Sequence, residues 1–337
     1  MPVTLTAVAQ VAGVSTATAS RVLSSSDYPV RAETRSRVLH AADQLGYRPN
    51  LIARSLRTEQ TFTLGVVLEN VSETLSTSIL RGILDRLLTT AYSAIILNTD
   101  YHSDVENEAV QELVRRAAAG VIFVDTAKHS VDEVLSHDHV PSIYVNRRYR
   151  RNEVGHCVVP DNRFNGYLAT EHLIKMGHRR IAHITGPEAW EATRERCTGY
   201  QQALADHGLP VDPALIMPGD WQLPSGYRAA QMLMQRDDQP TAVFASSDRM
   251  ALGAVYGFQD AGLRVPHDVA VVGHDDREIA KLVRPALTTV RMPGYEMGVR
   301  AATLLLAEIE GQSDVGCELP VPGELIIRDS CSCAGAA

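Results

Sequence analysis

Apolar positions in the first 49 residues recur at helical spacing, with no strand pattern. Residues 5–12 place four apolar side chains on one helical face, and Gly13 marks a stop. A second short helix follows at once, with Ser15 available to cap it, and a third ends at Gly46. Two short helices joined by a tight glycine turn and supported by a third predict a helix-turn-helix domain over residues 1–49.

The next segment, residues 50–61, is polar and bears arginines. Pro49 breaks the preceding helix, and Asn50 can cap a new one of about two turns. So short a helix is not stable alone, so we expect a hinge that folds only with help.

From residue 62 onward, apolar strand runs alternate with amphipathic helices. Strands are predicted at Thr63–Leu68, Ala94–Asn98, Val121–Val124, Ile143–Val145, Ile181–Thr185, Ala242–Ala245 and Val269–Gly273. Helices are predicted at Ser78–Leu88, Val105–Ala118, Tyr167–Met176 and Arg194–His207. This alternation is typical of parallel, doubly wound sheets, and the segment is long for a single sheet. We therefore expect two lobes with a ligand cleft at the carboxyl ends of their strands.

Charge is unevenly distributed along the chain. The net charge is −8, yet residues 1–58 carry seven arginines, no lysine and three acids, a net of +4, which leaves −12 for the remainder. A basic head on an acidic body directs any polyanion contact to the N-terminal region. Chance clustering of a few arginines is the alternative reading.

Several classes of protein are disfavoured by the sequence. The opening residues lack the basic and apolar regions of a secretory signal, and no apolar run is long enough to span a membrane. Five scattered cysteines indicate a reducing compartment, so we predict a cytoplasmic protein without membrane contact.

No nucleotide-binding, metalloprotease or nucleophile-elbow motif occurs, so we predict no catalytic residues and no cofactor. Dispersed catalytic residues stay open. Cys331 and Cys333 lack a partner pair at zinc spacing, so we predict no metal site.

Motifs along nearly the whole chain carry a family resemblance. They are AVAQVAGVSTATASRVL (7–23), ETRSRVLHAADQLGYRPNLIARSLRT (33–58), RGI (81–83), TEHLIKMGHRRIAHITGP (170–187), RERCTGYQQALADHGLP (194–210), PTAVFASSDRMALGA (240–254), GLRVPHDVAVVGHDD (262–276) and PALTTVRMP (285–293). In order and spacing the chain resembles the lactose-repressor (LacI/GalR) family of transcription regulators. The resemblance implies a multidomain protein, an all-α helix-turn-helix head on a periplasmic-binding-protein-like α/β core of two doubly wound parallel-sheet lobes. It also implies a homodimer, or a tetramer, that binds a palindromic double-stranded operator and a small effector.

We expect the lobes to be discontinuous in sequence. The first covers residues 62–161 and 292–320, the second covers 162–291 and 321–330, and residues 331–337 form a tail.

In the head, the resemblance assigns base contacts to Thr16 and Ala17, with Arg21 on the same helical face. An arginine can bond guanine O6 and N7 together, although a phosphate clamp is the alternative for Arg21. The remaining head positions, which suit phosphate contacts or capping, are Thr6, Ser15, Thr18 and Ser20. Arg31 stands where relatives have a capping side chain, and its lack of a cap could cost about 1 kcal/mol in the third helix.

In the hinge, Leu56 matches the leucine that the family inserts into the minor groove. Such an apolar wedge partly unstacks a base step and kinks the duplex. Ala53 can lie against the groove floor, Arg54 can reach a phosphate, and Asn50 caps the segment. Simple helix packing by Leu56 is the alternative.

In the core, Arg196, Trp221 and Asp275 match effector-contacting positions of sugar-responsive members. A carboxylate and a guanidinium bond hydroxyls, and an indole packs against the apolar face of a sugar ring. Further candidates are Glu69, Asn70, Leu75, Ser76 and Ile79 from the first lobe and Phe244, Ser247 and Asp248 from the second. For Asp248 the alternative is a brace of the cleft, and Trp190 either faces the cleft or simply packs.

The sequence departs from its relatives at residues 73–76. The usual Asn-Pro-Phe-Phe reads Glu-Thr-Leu-Ser here, and this loss of an aromatic pair argues against a purine-type ligand. We therefore predict a repressor of carbohydrate-use genes that a sugar-like effector releases from DNA. The alternatives are a regulator controlled by a partner protein, a solute-binding protein, and an enzyme on the same scaffold.

Overall fold

The computed structural model describes residues 3–23, 29–48, 61–125, 130–131, 140–149, 156–312 and 318–331. The chain divides into two compact units, Met1–Phe62 and Thr63–Ala337, which we call the head and the core. Within the described residues, no helix combines the length and apolar character needed to cross a membrane.

Three helices form the described part of the head. They are α1 (Leu5–Ala12), α2 (Thr16–Leu23) and α3 (Ala32–Leu45). Their buried faces meet in a small core of Val8, Ala9, Ala12, Ala19, Val22, Val38, Ala41 and Ala42. Because all of these are valine or alanine, the helices pack closely, as a helix-turn-helix requires.

Local capping sets the tight turn between α1 and α2. Thr4 Oγ1 accepts a hydrogen bond from the Ala7 N–H at the start of α1, and Gly13 takes the left-handed conformation (φ 63°) at its end. Ser15 Oγ accepts from the Thr18 N–H at 3.1 Å, so Ser15 caps α2 as predicted. Arg31 makes no side-chain capping bond to α3, which confirms that departure from the family pattern.

The first lobe of the core is built on a six-stranded parallel sheet of order β13-β7-β5-β3-β1-β2. Its strands are β1 (Thr63–Leu68), β2 (Ser93–Asn98), β3 (Gly120–Val124), β5 (Ser142–Val145), β7 (His156–Pro160) and β13 (Glu318–Val321), and a small parallel pair joins β4 (Ser130–Val131) to β6 (Arg148–Tyr149). The accompanying helices are α4 (Thr74–Leu87), α5 (Ser103–Arg115) and α11 (Gly294–Ile309).

The second lobe has a six-stranded sheet of order β14-β12-β11-β10-β8-β9, in which only β14 runs antiparallel to its neighbour. Its strands are β8 (Ile181–Ile184), β9 (Ile216–Met217), β10 (Ala242–Ala245), β11 (Ala270–Asp275), β12 (Thr288–Arg291) and β14 (Glu324–Ile326). Its helices are α6 (Asn162–Lys175), α7 (Glu191–Asp206), α8 (Leu223–Met234), α9 (Asp248–Asp260) and α10 (Ile279–Leu282), with a 3₁₀ turn at Pro213–Leu215.

The chain passes between the two sheets three times, after β7, after β12 and after β13. Val321 pairs with Pro160 in the first sheet, so the predicted boundary between residues 320 and 321 falls one residue early. All seven predicted strands are present, with small shifts at their ends. Three crossings at one edge hold the carboxyl ends of both sheets around a common space.

Glycines let the helices of each lobe approach closely. A Cβ on Gly298 of α11 would lie 2.0 Å from the Ile79 carbonyl oxygen of α4. Likewise, a Cβ on Gly166 of α6 would lie 2.2 Å from the Arg196 carbonyl oxygen of α7. The second approach matters for the site, because it seats α7 and its Arg196 against α6.

Candidate functional site

The head exposes the side chains predicted to read DNA. Thr16 and Ala17 at the start of α2, and Arg21 one turn later, are exposed, while Ala19 and Val22 face the head core. Thr6 and Ser15 are also exposed, and Thr18 and Ser20 are half-buried. The Thr18 hydroxyl lies 2.9 Å from Ser15 Oγ, so both belong to the cap of α2. An exposed N-terminal turn is what a recognition helix presents to a major groove.

The predicted hinge contacts lie outside the described residues. These are Asn50, Ala53, Arg54 and Leu56. Their roles stay predictions from the sequence.

A cavity of about 610 Å³ lies in the core and is lined by residues of both lobes. This volume is in the usual range for a small-molecule site. Five of the predicted effector residues line it, namely Leu75, Arg196, Trp221, Ser247 and Asp275. The cavity therefore brings together predicted side chains from α4, α7 and β11 and from the loops that precede α8 and α9.

Six other predicted residues do not line this cavity, which corrects their assignment as lining positions. They are Glu69, Asn70, Ser76, Ile79, Phe244 and Asp248. Ile79 and Phe244 are fully buried in the cores of their lobes, and Ser76 and Glu69 are also buried. Asn70 Oδ1 accepts from the Ser72 N–H at 2.8 Å and so shapes its own loop. A shift of one position along a strand or helix turns a side chain from the cleft to the core.

Arg196 carries a guanidinium that is buried at the centre of the site. Its Nε donates to Asn162 Oδ1 at 2.9 Å, and its Nη1 donates to the Ser246 carbonyl at 2.6 Å. Among the described residues, its Nη2 reaches only the sulfur of Met292, at 4.0 Å. Burial lowers the pKa of Arg196 to about 10, which still leaves it charged at neutral pH.

Trp221 adjoins this guanidinium, with its ring centroid 5.5 Å from the Arg196 carbon Cζ. Its backbone is left-handed (φ 67°), and its ring lies so close to Gly186 that a Cβ there would come within 2.1 Å. Trp190 meets it edge to face, with ring centroids 5.5 Å apart, and also lines the cavity. Trp190 therefore both packs against its neighbour and lines the cavity, so its two readings hold together.

Asp275 ends β11 and is held from two sides. His274 Nδ1 lies 3.0 Å from one of its oxygens, and Arg277 Nε lies 3.4 Å from the other. Burial opposes the charge of Asp275, but the His274 hydrogen bond and the charges of Arg196 and Arg277 outweigh it and lower the pKa of this carboxyl. A charged acceptor therefore faces the cavity.

Asp248 braces the loop that follows Asp275. It accepts from the Thr289 hydroxyl at 2.6 Å and from the Arg277 N–H at 2.7 Å. Burial and the nearby charge of Asp275 raise the pKa of Asp248 to about 8. The alternative role given to Asp248 by the sequence is therefore the one that the geometry supports.

Two groups of ion pairs join the lobes beside the cavity. Arg277 of the second lobe lies 3.4 Å from Glu73 Oε2 of the first. In the opposite sense, Arg148 of the first lobe lies 2.7 Å from Glu195 and 3.2 Å from Glu191 on α7. Sequence reasoning missed these contacts because each partner is far away along the chain.

The described residues include no group of three or more His, Cys, Asp or Glu side chains arranged to hold a metal ion. Among the lining residues are the buried cation of Arg196, the charged carboxylate of Asp275 and the indoles of Trp190 and Trp221. Such a set suits a small ligand that offers both hydroxyl groups and apolar surface.

Known proteins resemble this chain in sequence over nearly its full length. A family profile described as bacterial regulatory proteins, lacI family, matches residues 4–50, and one described as periplasmic binding protein-like domain matches residues 170–331. Catabolite control protein A of Priestia megaterium is 33% identical over 98% of this chain and 99% of that protein. The HTH-type transcriptional regulator AscG of Escherichia coli (strain K12) is 35% identical over 97% of this chain and 98% of that protein. The chain belongs to the lacI family.

Solved structures of lacI-family regulators agree with this fold. The lac repressor dimer bound to operator and the anti-inducer ONPF matches with a TM-score of 0.74 and 28% identity, over 98% of this chain and 100% of that chain. A transcriptional regulator CelR-cellobiose complex matches with a TM-score of 0.69 and 32% identity, over 97% of this chain and 99% of that chain. The predicted family, the helix-turn-helix head and the periplasmic-binding-like core are thus confirmed, and the chain is a DNA-binding transcriptional regulator rather than an enzyme.

His183 on β8, buried inside the second lobe, generates a pH prediction. This ring is fully buried between Phe244 and Tyr200, with centroids 4.6 and 5.0 Å away, and its Nδ1 lies 3.0 Å from the Phe244 carbonyl. Burial lowers the pKa of His183 to about 4. The unfolded chain takes up this proton near pH 6.5, so the unfolded state binds more protons between those values.

The free energy of unfolding should therefore fall as the pH drops from about 6.5 towards 4. At pH 5, proton uptake by His183 in the unfolded chain lowers the free energy of unfolding by about 2 kcal/mol relative to neutral pH. Chemical denaturation across this range should give a shallower pH dependence for His183→Gln than for wild type, whereas the exposed control His102→Gln should keep the wild-type profile. If the free energy of unfolding varies with pH as steeply in His183→Gln as in wild type, the lowered pKa of His183 is contradicted.

Proposed function

We propose that the chain is a ligand-responsive repressor of carbohydrate-use genes. It binds a palindromic operator as a homodimer and leaves it when a small sugar-like effector fills the core cavity. The observation that carries the proposal is the meeting of Arg196, Asp275 and Trp221 around one cavity between the lobes. The cellobiose named with the similar CelR structure supports a carbohydrate as the class of ligand.

The chemistry of these three side chains suits hydroxyl groups on a ring. Asp275 accepts hydrogen bonds from hydroxyls, and the Nη2 group of Arg196 has donors to offer them. Trp221 supplies apolar contact for the ring itself. A buried polar pair of this kind rejects ligands without hydroxyls, because the pair is then left unsatisfied.

The DNA side of the proposal rests on the exposed start of α2. Thr16 and Ala17 can contact thymine methyl groups, and Arg21 can bond guanine in the major groove. Leu56 enters the minor groove as a wedge, with Ala53 beside it. A protein that acts on an operator in a bacterial cell works in the cytoplasm.

Effector and operator are linked through the relative arrangement of the two lobes. A ligand that prefers one arrangement changes operator affinity only by its differential affinity for the two states. The two reciprocal ion-pair groups beside the cavity, at Arg277 and Arg148, make that arrangement sensitive to what lies between the lobes.

Arg21→Ala tests the reading of bases by α2. We expect it to cost about 1–3 kcal/mol in operator binding and to relax preference at one base pair in each half-site. Fluorescence anisotropy with operator and random duplexes measures both. The control Arg37→Ala removes the same charge from α3 and should weaken both duplexes equally. If Arg21→Ala loses the same binding free energy for operator and for random duplex, Arg21 contacts a phosphate and not a base.

Asp275→Asn tests the carbohydrate site. Charge-assisted hydrogen bonds contribute roughly 1.5–3 kcal/mol each, so calorimetry should show sugar binding weakened by about that amount for each bond lost. The variant should stay on its operator at sugar concentrations that release wild type. Asp260→Asn, an exposed position away from the cavity, is the matched control. A ligand without hydroxyls that binds wild type and Asp275→Asn equally well contradicts the proposal.

A further inference from the structure

The charges around the cavity are unbalanced. Six arginines line it, namely Arg148, Arg194, Arg196, Arg249, Arg277 and Arg291. Only four carboxylates do so, namely Glu73, Glu191, Asp275 and Asp276. The lining therefore carries an excess of positive charge, although the chain as a whole is acidic.

Every one of the four carboxylates already has an arginine. Glu73 and Asp275 pair with Arg277, and Glu191 pairs with Arg148. Asp276 lies 2.8 Å from Arg291. Three of the six lining arginines thus pair with all four lining carboxylates.

The other three arginines form no ion pair within the part of the chain that the structure describes. Arg194 donates to the backbone carbonyls of Glu188 and Ala189, both at 3.1 Å. Arg249 donates to the Gln222 side-chain amide oxygen at 3.2 Å. Arg196 has the amide oxygen of Asn162 and a backbone carbonyl. All of these acceptors are neutral.

These three arginines cluster around the tryptophan pair. Arg196 lies over Trp221, and Arg249 bonds the residue that follows Trp221. Arg194 bonds the two residues that precede Trp190. One part of the cavity therefore combines two indoles with three cations that form no ion pair within the described residues. Arg196 is buried and feels the charge of Asp275 without contact, whereas Arg194 and Arg249 are exposed.

A buried cation without a counter-ion is costly, and Arg196 is nearly fully buried. Guanidinium groups match carboxylate and phosphate oxygens in geometry, and they bond them more strongly than neutral acceptors. A neutral sugar would satisfy hydrogen bonds here but would bring no negative charge, so Arg196 would keep only the charge of Asp275, and Arg194 and Arg249 would stay unpaired beside it.

We infer that the effector is an anionic carbohydrate, whose carboxylate or phosphate group lies among Arg194, Arg196 and Arg249 while its ring packs against the tryptophan pair. This inference rests on the proposed function and narrows its ligand class. It assigns binding roles to Arg194 and Arg249, which the sequence does not distinguish from surface arginines.

Calorimetry on the full-length protein with matched ligands tests the inference. The probes are glucose, glucuronate and glucose 6-phosphate, together with cellobiose and cellobionate. We expect at least one anion to bind about tenfold more tightly than its neutral parent, and more weakly as NaCl rises from about 50 to about 500 mM. Comparing glucuronate and cellobionate with glucose 6-phosphate shows whether the site binds a carboxylate or a phosphate group.

Arg249→Gln should lower the ratio of anionic to neutral affinity about tenfold. Arg163→Gln removes one exposed charge from α6 away from the cavity, so it should keep the wild-type ratio. The inference is overturned if neutral parents bind as well as their anions, or if no anionic probe binds. In the first case sugar-dependent release of DNA still supports the proposed function, whereas binding of only non-hydroxylated ligands refutes both.

Discussion

The buried guanidinium of Arg196 is the constraint on which the cleft depends. It is held by Asn162 at the start of α6 and by the Ser246 carbonyl at the end of β10, so two elements of the second lobe must keep their places. Gly166 allows this, because α6 can then rest directly on the backbone of α7 at Arg196. Trp221 lies over the same cation, and Asp275 contributes the opposite charge without contacting it. Nε and Nη1 donate to neutral oxygens, whereas Nη2 reaches a sulfur and keeps donors for a ligand, so the buried charge leaves this part of the cavity electropositive.

Around this centre, the two lobes are coupled by chain and by charge. Three crossings tie the sheets together at the edge where their strands end. Ion pairs of opposite sense, from Arg277 to Glu73 and from Arg148 to α7, join the lobes beside the same cavity. A ligand that enters must compete with these contacts or add to them, so its chemistry decides which arrangement of the lobes it favours. In the proposed function, that coupling is the physical basis on which the cleft controls DNA affinity.

Much of this could be predicted from the sequence, for identifiable reasons. Continuous runs such as Ile122 and Phe123 in β3 mark strands that are buried on both faces, and family motifs marked Arg196, Trp221 and Asp275. Other features could not be predicted. The edge strand β13 contains Glu318 and Pro320, residue types that strands disfavour, and it exists because the chain returns to β7. The sequence predicts Ile79 and Phe244 in the cleft, whereas both are buried in the cores of their lobes. Position in sequence does not reveal which face of a helix or strand a side chain takes. The ion pairs of Arg277 and Arg148 depend on tertiary structure alone.

The central claim is that filling the cleft near Arg196 changes the affinity of the head for DNA. The most direct test titrates the tightest-binding carbohydrate of the panel into full-length protein on a fluorescent operator. Tryptophan emission reports cleft occupancy, and anisotropy reports bound DNA in the same sample. If this claim holds, operator affinity falls over the carbohydrate concentrations at which the cleft fills. Bound operator then weakens carbohydrate binding by the same factor by which carbohydrate weakens operator binding. A cleft that fills while operator affinity stays constant would contradict it.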